Sequence, residues 1–143
     1  RKAAENDSRI SFLGQLSRDE VLEWQKKATV LVNPRQNNED FTKYSFPSKT
    51  MEYLSSGIPV VAYKLDGIPN EYDQYIQYVE DDSIDTLKKK LVEICELPYE
   101  RRQEIGHKGR EFVLSEKNSK VQTRKIVELM KGVRKQSKHE RGY

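Results

Sequence analysis

The segment Phe46-Pro47-Ser48-Lys49-Thr50-Met51-Glu52-Tyr53-Leu54-Ser55-Ser56-Gly57-Ile58-Pro59-Val60-Val61 restricts the fold more than any other part of the chain, because it prescribes a short helix that turns directly into a buried strand. Pro47 suits a first helical turn, where its missing N–H is not needed, and Ser45 is placed to act as N-cap. Gly57 ends the helix by taking up a left-handed conformation, and Pro59 forbids its continuation. Ile58 to Ala62 is a short apolar run of the kind buried on both faces of a parallel sheet. Helix and strand are therefore expected as adjacent layers of one α/β unit.

Lys49 is unusual in that helix. A cation in the first turn opposes the positive end of the macrodipole, and an anion docked there would reverse the penalty. Free N–H groups at a helix start attract phosphate, and a lysine adds a point charge. Glu52 follows Lys49 by three residues and Ser48 by four, which puts all three on one side of the helix. Its carboxylate can accept from two hydroxyls at once, as on a ribose or a hexose. The plainer alternative is a surface ion pair between Lys49 and Glu52.

With 143 residues, 35% of them hydrophobic and 34% charged, one domain with a real core is expected. No apolar run reaches the ~18 residues of a membrane span, and the N-terminus lacks the apolar core of a signal peptide. One cysteine, Cys95, forms no internal disulfide and reads as a small buried residue on a helix; a reducing cytoplasm is the expected compartment. Residues 117–143 carry a net charge of +7 against +3 for the whole chain, leaving −4 for residues 1–116. The chain opens on Arg1 in what reads as the end of a helix, Lys2 to Glu5, and so reads as an excised fragment.

Along the chain, Ile10 to Leu13 followed by Gly14 is expected to form a strand. Ser17-Arg18-Asp19-Glu20 has the capping-box spacing, opening a helix to about Lys27 with Val21, Trp24 and Ala28 on one face. Thr29 to Val32 is expected as a buried strand, and Arg35 to Tyr44 as a loop at its C-terminal end, the edge where open α/β sheets bind ligands. Lys64 to Glu71 has turn chemistry on the same rim, and Tyr75 to Val79 suits a last strand. Three helices follow: Ser83 to Leu97, started by Asp82 or Ser83 and with Ile84, Leu87, Leu91 and Ile94 at helical spacing, then Tyr99 to Ser115 and Ser119 to Arg134. Residues 136–143 are expected to form a basic disordered tail to a domain spanning 1–135. His107 and His139 have no companions at metal-ligand spacing, so no metal site is expected. The whole is α/β: a Rossmann-like parallel sheet flanked by helices.

Phe12-Leu13-Gly14, the helix ending at Ala28, Val30-Leu31-Val32-Asn33-Pro34, the Phe46 to Val61 segment and Gly67 to Glu71 occur in an order that resembles the C-terminal domain of group 1 (GT4-type, GT-B fold) glycosyltransferases, over roughly residues 8 to 132. The resemblance implies the donor-binding half of a GT-B fold, with the first strand of that domain lying upstream. It implies hexosyl transfer with retention from a nucleotide diphosphate sugar to a glycan or lipid-linked acceptor, no bound metal or other cofactor, and an N-terminal domain of the same protein as acceptor-binding partner. Surface polysaccharide biosynthesis is the setting it suggests.

By the same resemblance, Glu52 matches the glutamate that binds ribose hydroxyls. Pro47, Ser48 and Lys49 match the diphosphate-facing turn, with Ser45 and Phe46 beside them also expected to bind the donor, and the loop with Gly14 and Leu16 matches the one touching the base. The family's Glu-x7-Glu pattern is broken here, because eight residues before Glu52 stands Tyr44. Either Tyr44-Ser45-Phe46 or Glu39-Asp40-Phe41 occupies the usual Glu-Gly-Phe position. Glu39 and Tyr44, with Lys43, are therefore the candidates for meeting the transferred sugar. The Arg/Lys pair that clamps the diphosphate lies upstream in the family, so the fragment alone is expected to bind donor weakly and to transfer nothing.

Two other readings have discriminating features. A non-catalytic module that binds a nucleotide or a membrane would use the cations of the basic C-terminal stretch, which favour anionic headgroups and so fit peripheral contact with the inner face of a membrane, whereas Ile126, Leu129, Met130 and Val133 at helical spacing need a protein surface to cover them. Nucleic acid does not fit, because no aromatic residues interleave with the cations. A dinucleotide-binding oxidoreductase would need Gly-x-Gly-x-x-Gly after a strand, and Gly106-His107-Lys108-Gly109 instead lies in a helical pattern.

Overall fold

A computed structural model describes residues 1–37 and 48–139, with side chains to residue 131. Its centre is a parallel sheet of three strands, β1 (Leu31–Asn33), β2 (Val60–Tyr63) and β3 (Ile76–Val79), in the order β1-β2-β3. Leu31 pairs with Val60, and Val60 in turn with Ile76. Among the described residues six α-helices accompany it, α1 (Lys2–Asn6), α2 (Arg18–Lys27), α3 (Ser48–Ser55), α4 (Ile84–Glu96), α5 (Tyr99–Glu116) and α6 (Ser119–His139), with a short 3-10 turn at Asn70–Tyr72. The expected α/β architecture with a parallel, helix-flanked sheet is what forms.

All four residues of β2 are buried, as a central strand covered on both faces requires. The pleat sends Val60 and Ala62 into a cluster with Leu54, Leu65, Ile68, Tyr72, Ile76, Phe112 and Val113. Val61 and Tyr63 face the opposite cluster, with Val79 and Ile94. One core layer therefore belongs to α3 and α5, the other to α4. In the first, Phe112 stacks on Tyr75 at 4.3 Å between ring centres and meets Tyr72 edge-on at 5.0 Å, both favourable aromatic geometries.

Gly57 has φ +78° and stops α3 as anticipated, so that three residues later the chain enters β2. Ser17 and Glu20 form the reciprocal capping box of α2, and Ser83 caps α4 by accepting from the Thr86 N–H at 3.1 Å. The helix expected to end near Arg134 runs on to His139.

Four expectations are corrected. Ile10 to Leu13 is not a strand: an apolar run becomes one only when a neighbour takes up its backbone groups, and none of the described strands does. The segment is exposed, with Phe12 59% accessible and the Arg1 guanidinium 5.7 Å from its ring centre. The inward residue of α2 is Gln25, at 5% exposure, whereas Trp24 is 53% exposed; the helix is rotated relative to the face chosen from Val21 and Trp24. Ile84 is 81% exposed because it lies in the first turn of α4, beyond the reach of the sheet. Cys95 is exposed, since its neighbour Ile94 takes the inward position on α4.

Candidate functional site

The crossover β1–α3–β2 places the start of α3 at the C-terminal rim of the sheet, where Ser48 and Lys49 are exposed. Loops leaving β1 and β2 meet on that rim. Asn37 donates to the Lys64 carbonyl at 3.0 Å and to the Asp66 carboxylate at 3.2 Å, and its own oxygen accepts from the Asp66 N–H at 3.3 Å. Gln36 reaches the Asp82 carbonyl at 2.8 Å, tying in the segment that follows β3. Glu71, at the end of the Gly67 to Glu71 turn, is held by Lys117, whose ammonium also sits 5.3 Å from the Tyr72 ring centre and 5.2 Å from that of Phe112.

Glu52 lies about one helical turn beyond Ser48, a rise of ~6 Å along the axis. It is partly buried, and its Oε1 accepts from Gln25 Nε2 at 2.6 Å. Because a carboxylate only accepts, the amide nitrogen must be the atom facing it. Lys49 makes no ion pair with Glu52 or with any other described residue, so the plainer pairing is not the one that forms.

Glu52 lines a cavity of about 360 Å³ with Arg18, Leu22 and Lys26 of α2, Ser55 and Ser56 at the end of α3, and Arg110 of α5. Lys26 is paired with Glu23 at 2.9 Å, while Arg18 and Arg110 make no ion pair among the described residues. Ser55 and Ser56 return their hydroxyls to the Met51 and Tyr53 carbonyls at 2.7 and 2.6 Å, which leaves the polar wall to the charged groups. Two cations without an ion pair, Arg18 and Arg110, beside one carboxylate create a field that favours an anionic ligand, and the carboxylate supplies acceptors for hydroxyls.

The start of α2 carries the loop that contains Gly14, at φ +65°, and Leu16. That helix start is sharply fixed: Glu20 accepts from the Ser17 hydroxyl at 2.6 Å and from the Ser17 N–H at 2.8 Å. The hydroxyl bond, and then the backbone bond, holds the Glu20 carboxyl below its ordinary range. Arg18, two residues beyond Leu16, reaches the Glu52 cavity.

Of the site residues expected from sequence, Ser48, Lys49 and Glu52 share α3, and Gly14 and Leu16 precede α2. Glu39, Lys43, Tyr44, Ser45, Phe46 and Pro47 lie outside the described residues. Sequence reasoning missed Gln25, Arg18, Lys26 and Arg110. The only signal for Gln25 was its place four residues after Val21 on the capped helix. Among the described residues no group of His, Cys, Asp or Glu is arranged to hold a metal, and no helix is long and apolar enough to cross a membrane.

The family model for group 1 glycosyl transferases matches residues 1–112, a stretch that contains the sheet, the α3 segment, Gly14, Leu16 and every residue lining the Glu52 cavity. Neither a curated protein nor a solved structure matches the chain. The match covers well over half of the sequence and coincides with the segments that build the parallel sheet and its rim. The chain is thus a domain of a glycosyltransferase and belongs to the group 1 family.

Proposed function

We propose that this chain is the donor-binding half of a retaining glycosyltransferase that moves a hexosyl group from a nucleotide diphosphate sugar to a glycan or lipid-linked acceptor, without a bound metal or other cofactor. The observation that carries this reading is Glu52: partly buried and anchored at one oxygen by Gln25, one turn from an exposed helix start bearing Lys49. In this reading Glu52 accepts from the ribose hydroxyls, and the start of α3 with Ser48 and Lys49 faces the diphosphate. Gly14 and Leu16 meet the base. Glu39 or Tyr44 meets the transferred sugar. An N-terminal domain of the same protein binds the acceptor, and the setting is surface polysaccharide synthesis in the cytoplasm.

Two experiments test it. In the full-length enzyme, Glu52→Ala removes charge-assisted bonds worth about 1.5–3 kcal/mol each, so donor KM rises ~10-fold or more, or transfer is abolished. Unchanged kinetics would leave the assignment without its central residue. The 143-residue chain alone shows no turnover with UDP-, GDP- or ADP-linked sugars; measurable transfer by it would refute the need for a second domain.

A peripheral membrane contact is supported by a specific feature of α6. Ile126, Leu129 and Met130 are 59–71% exposed on a helix rich in Lys and Arg, a combination suited to an anionic interface. Co-sedimentation with vesicles containing anionic lipid, compared with a variant lacking residues 119–143, separates this from a solution enzyme.

A further inference from the structure

Gln25 sits where an amphipathic helix should present an apolar side chain. At 5% exposure its amide is removed from water, and a buried amide is costly unless its polar atoms are bonded. Only one end is. Nε2 donates to Glu52 Oε1 at 2.6 Å, whereas Oε1 of Gln25 is enclosed without a partner among the described residues. A leucine of similar volume would fill the position without an orphaned acceptor. What the amide adds over leucine is the single bond to Glu52.

We propose that Gln25 is the positioning residue of Glu52: its neutral donor fixes one carboxylate oxygen and leaves Oε2 for a hydroxyl of the bound ligand. The inference rests on the reading of Glu52 as a hydroxyl acceptor for the donor. Its physical logic lies in the charges around the cavity. Arg18 and Lys26 from α2 and Arg110 from α5 line the same space as Glu52, and a long, unanchored glutamate side chain would swing onto one of these cations. Such an ion pair would occupy acceptor positions the ligand needs and would neutralise a cation that favours its phosphates. An amide anchor avoids both, because it holds the carboxylate without cancelling a charge. No described residue other than Gln25 donates to Glu52.

The test compares Gln25→Leu, Gln25→Glu and Glu52→Ala in the full-length enzyme, with UDP-glucose, GDP-mannose and ADP-glucose as donors. Gln25→Leu should raise donor KM ~5- to 20-fold with kcat within ~3-fold, and its melting temperature should stay close to that of the parent because the orphaned acceptor leaves with the donor. Gln25→Glu, which keeps the shape, puts two carboxylates in contact; such a pair is relieved by binding a proton, so its KM penalty should be larger at pH 8 than at pH 6. A purely structural role for Gln25 would instead lower the melting temperature of Gln25→Leu and leave its donor KM unchanged. If Glu52→Ala raises donor KM while Gln25→Leu leaves it unchanged, or if the Gln25→Glu penalty does not vary with pH, the positioning role is overturned and the reading of Glu52 survives. Unchanged KM in Glu52→Ala would remove both.

Discussion

Gly106 of α5 lies against the carbonyl of Gly57, so close that a β-carbon at 106 would overlap that oxygen. The helix backbone is laid directly on the turn that carries the chain from α3 into β2, and so holds in place the helix that bears Lys49 and Glu52. Gly106→Ala therefore forces the α5 backbone off the turn and should destabilise the protein by about 3 kcal/mol, in the upper range for overpacking. Gly109→Ala should cost less, because a β-carbon there meets a terminal methyl of the Leu54 side chain, 2.8 Å from its Cδ2, and no backbone atom as closely. Urea denaturation of the two variants checks the order; equal stability of Gly106→Ala and the parent would contradict the packing described.

Ile84 and Ile94 are the same residue type on the same helix, yet only one is in the core. Ile94 is 1% exposed and Ile84 81%. Ile94→Ala should lose about 2–5 kcal/mol by emptying a packed site, whereas Ile84→Ala should stay within ~0.5 kcal/mol. Thermal unfolding of the two variants measures the difference.

Acid should loosen the helix starts before it reaches the core. Glu20 is held below its ordinary pKa by the Ser17 hydroxyl and backbone N–H, and Asp81 by bonds from Thr86 and Ser83 at the start of α4. A carboxyl with a lowered folded-state pKa contributes stability that is complete above its unfolded value and is lost as pH falls through the folded one. The melting temperature should be level near neutrality and decline below about pH 4.5, where unfolded carboxylates begin to take up protons. In Glu20→Gln the acid-induced decline should be shallower, because one of these linkages is gone. A decline identical to that of the parent would show that the capping carboxylate carries none of it.

How much of this was legible depended on where each residue's role is decided. Gly57, Ser17 and Glu20 act on their own backbone within a few residues, and their spacing was sufficient; for α4 the spacing left Asp82 and Ser83 both open, and Ser83 is the cap. The apolar run of β2 was equally clear, because a strand covered on both faces has no polar side to confuse the pattern. Ile10 to Leu13 failed for the opposite reason: a short apolar run is a strand only in the presence of a partner strand, and sequence does not state the partner. Gln25 was invisible because a glutamine reads as solvent-facing, and only its tertiary contact with Glu52 explains its burial. Trp24 shares a face with Val21 and Ala28 by spacing, but α2 turns Gln25 inward, where it bonds Glu52 of α3, and leaves Trp24 exposed. Glu52 was singled out by its chemistry, while the cations around it come from α2 and α5, separated from it by tens of residues.

The most direct measurement of the central claim is calorimetric titration of the full-length protein and its Glu52→Ala variant with UDP-, GDP- and ADP-linked sugars. One of these donors should bind the parent, and Glu52→Ala should weaken it ~10- to 100-fold, the equivalent of one lost charge-assisted bond. A variant that binds the same donor with unchanged Kd would contradict that claim.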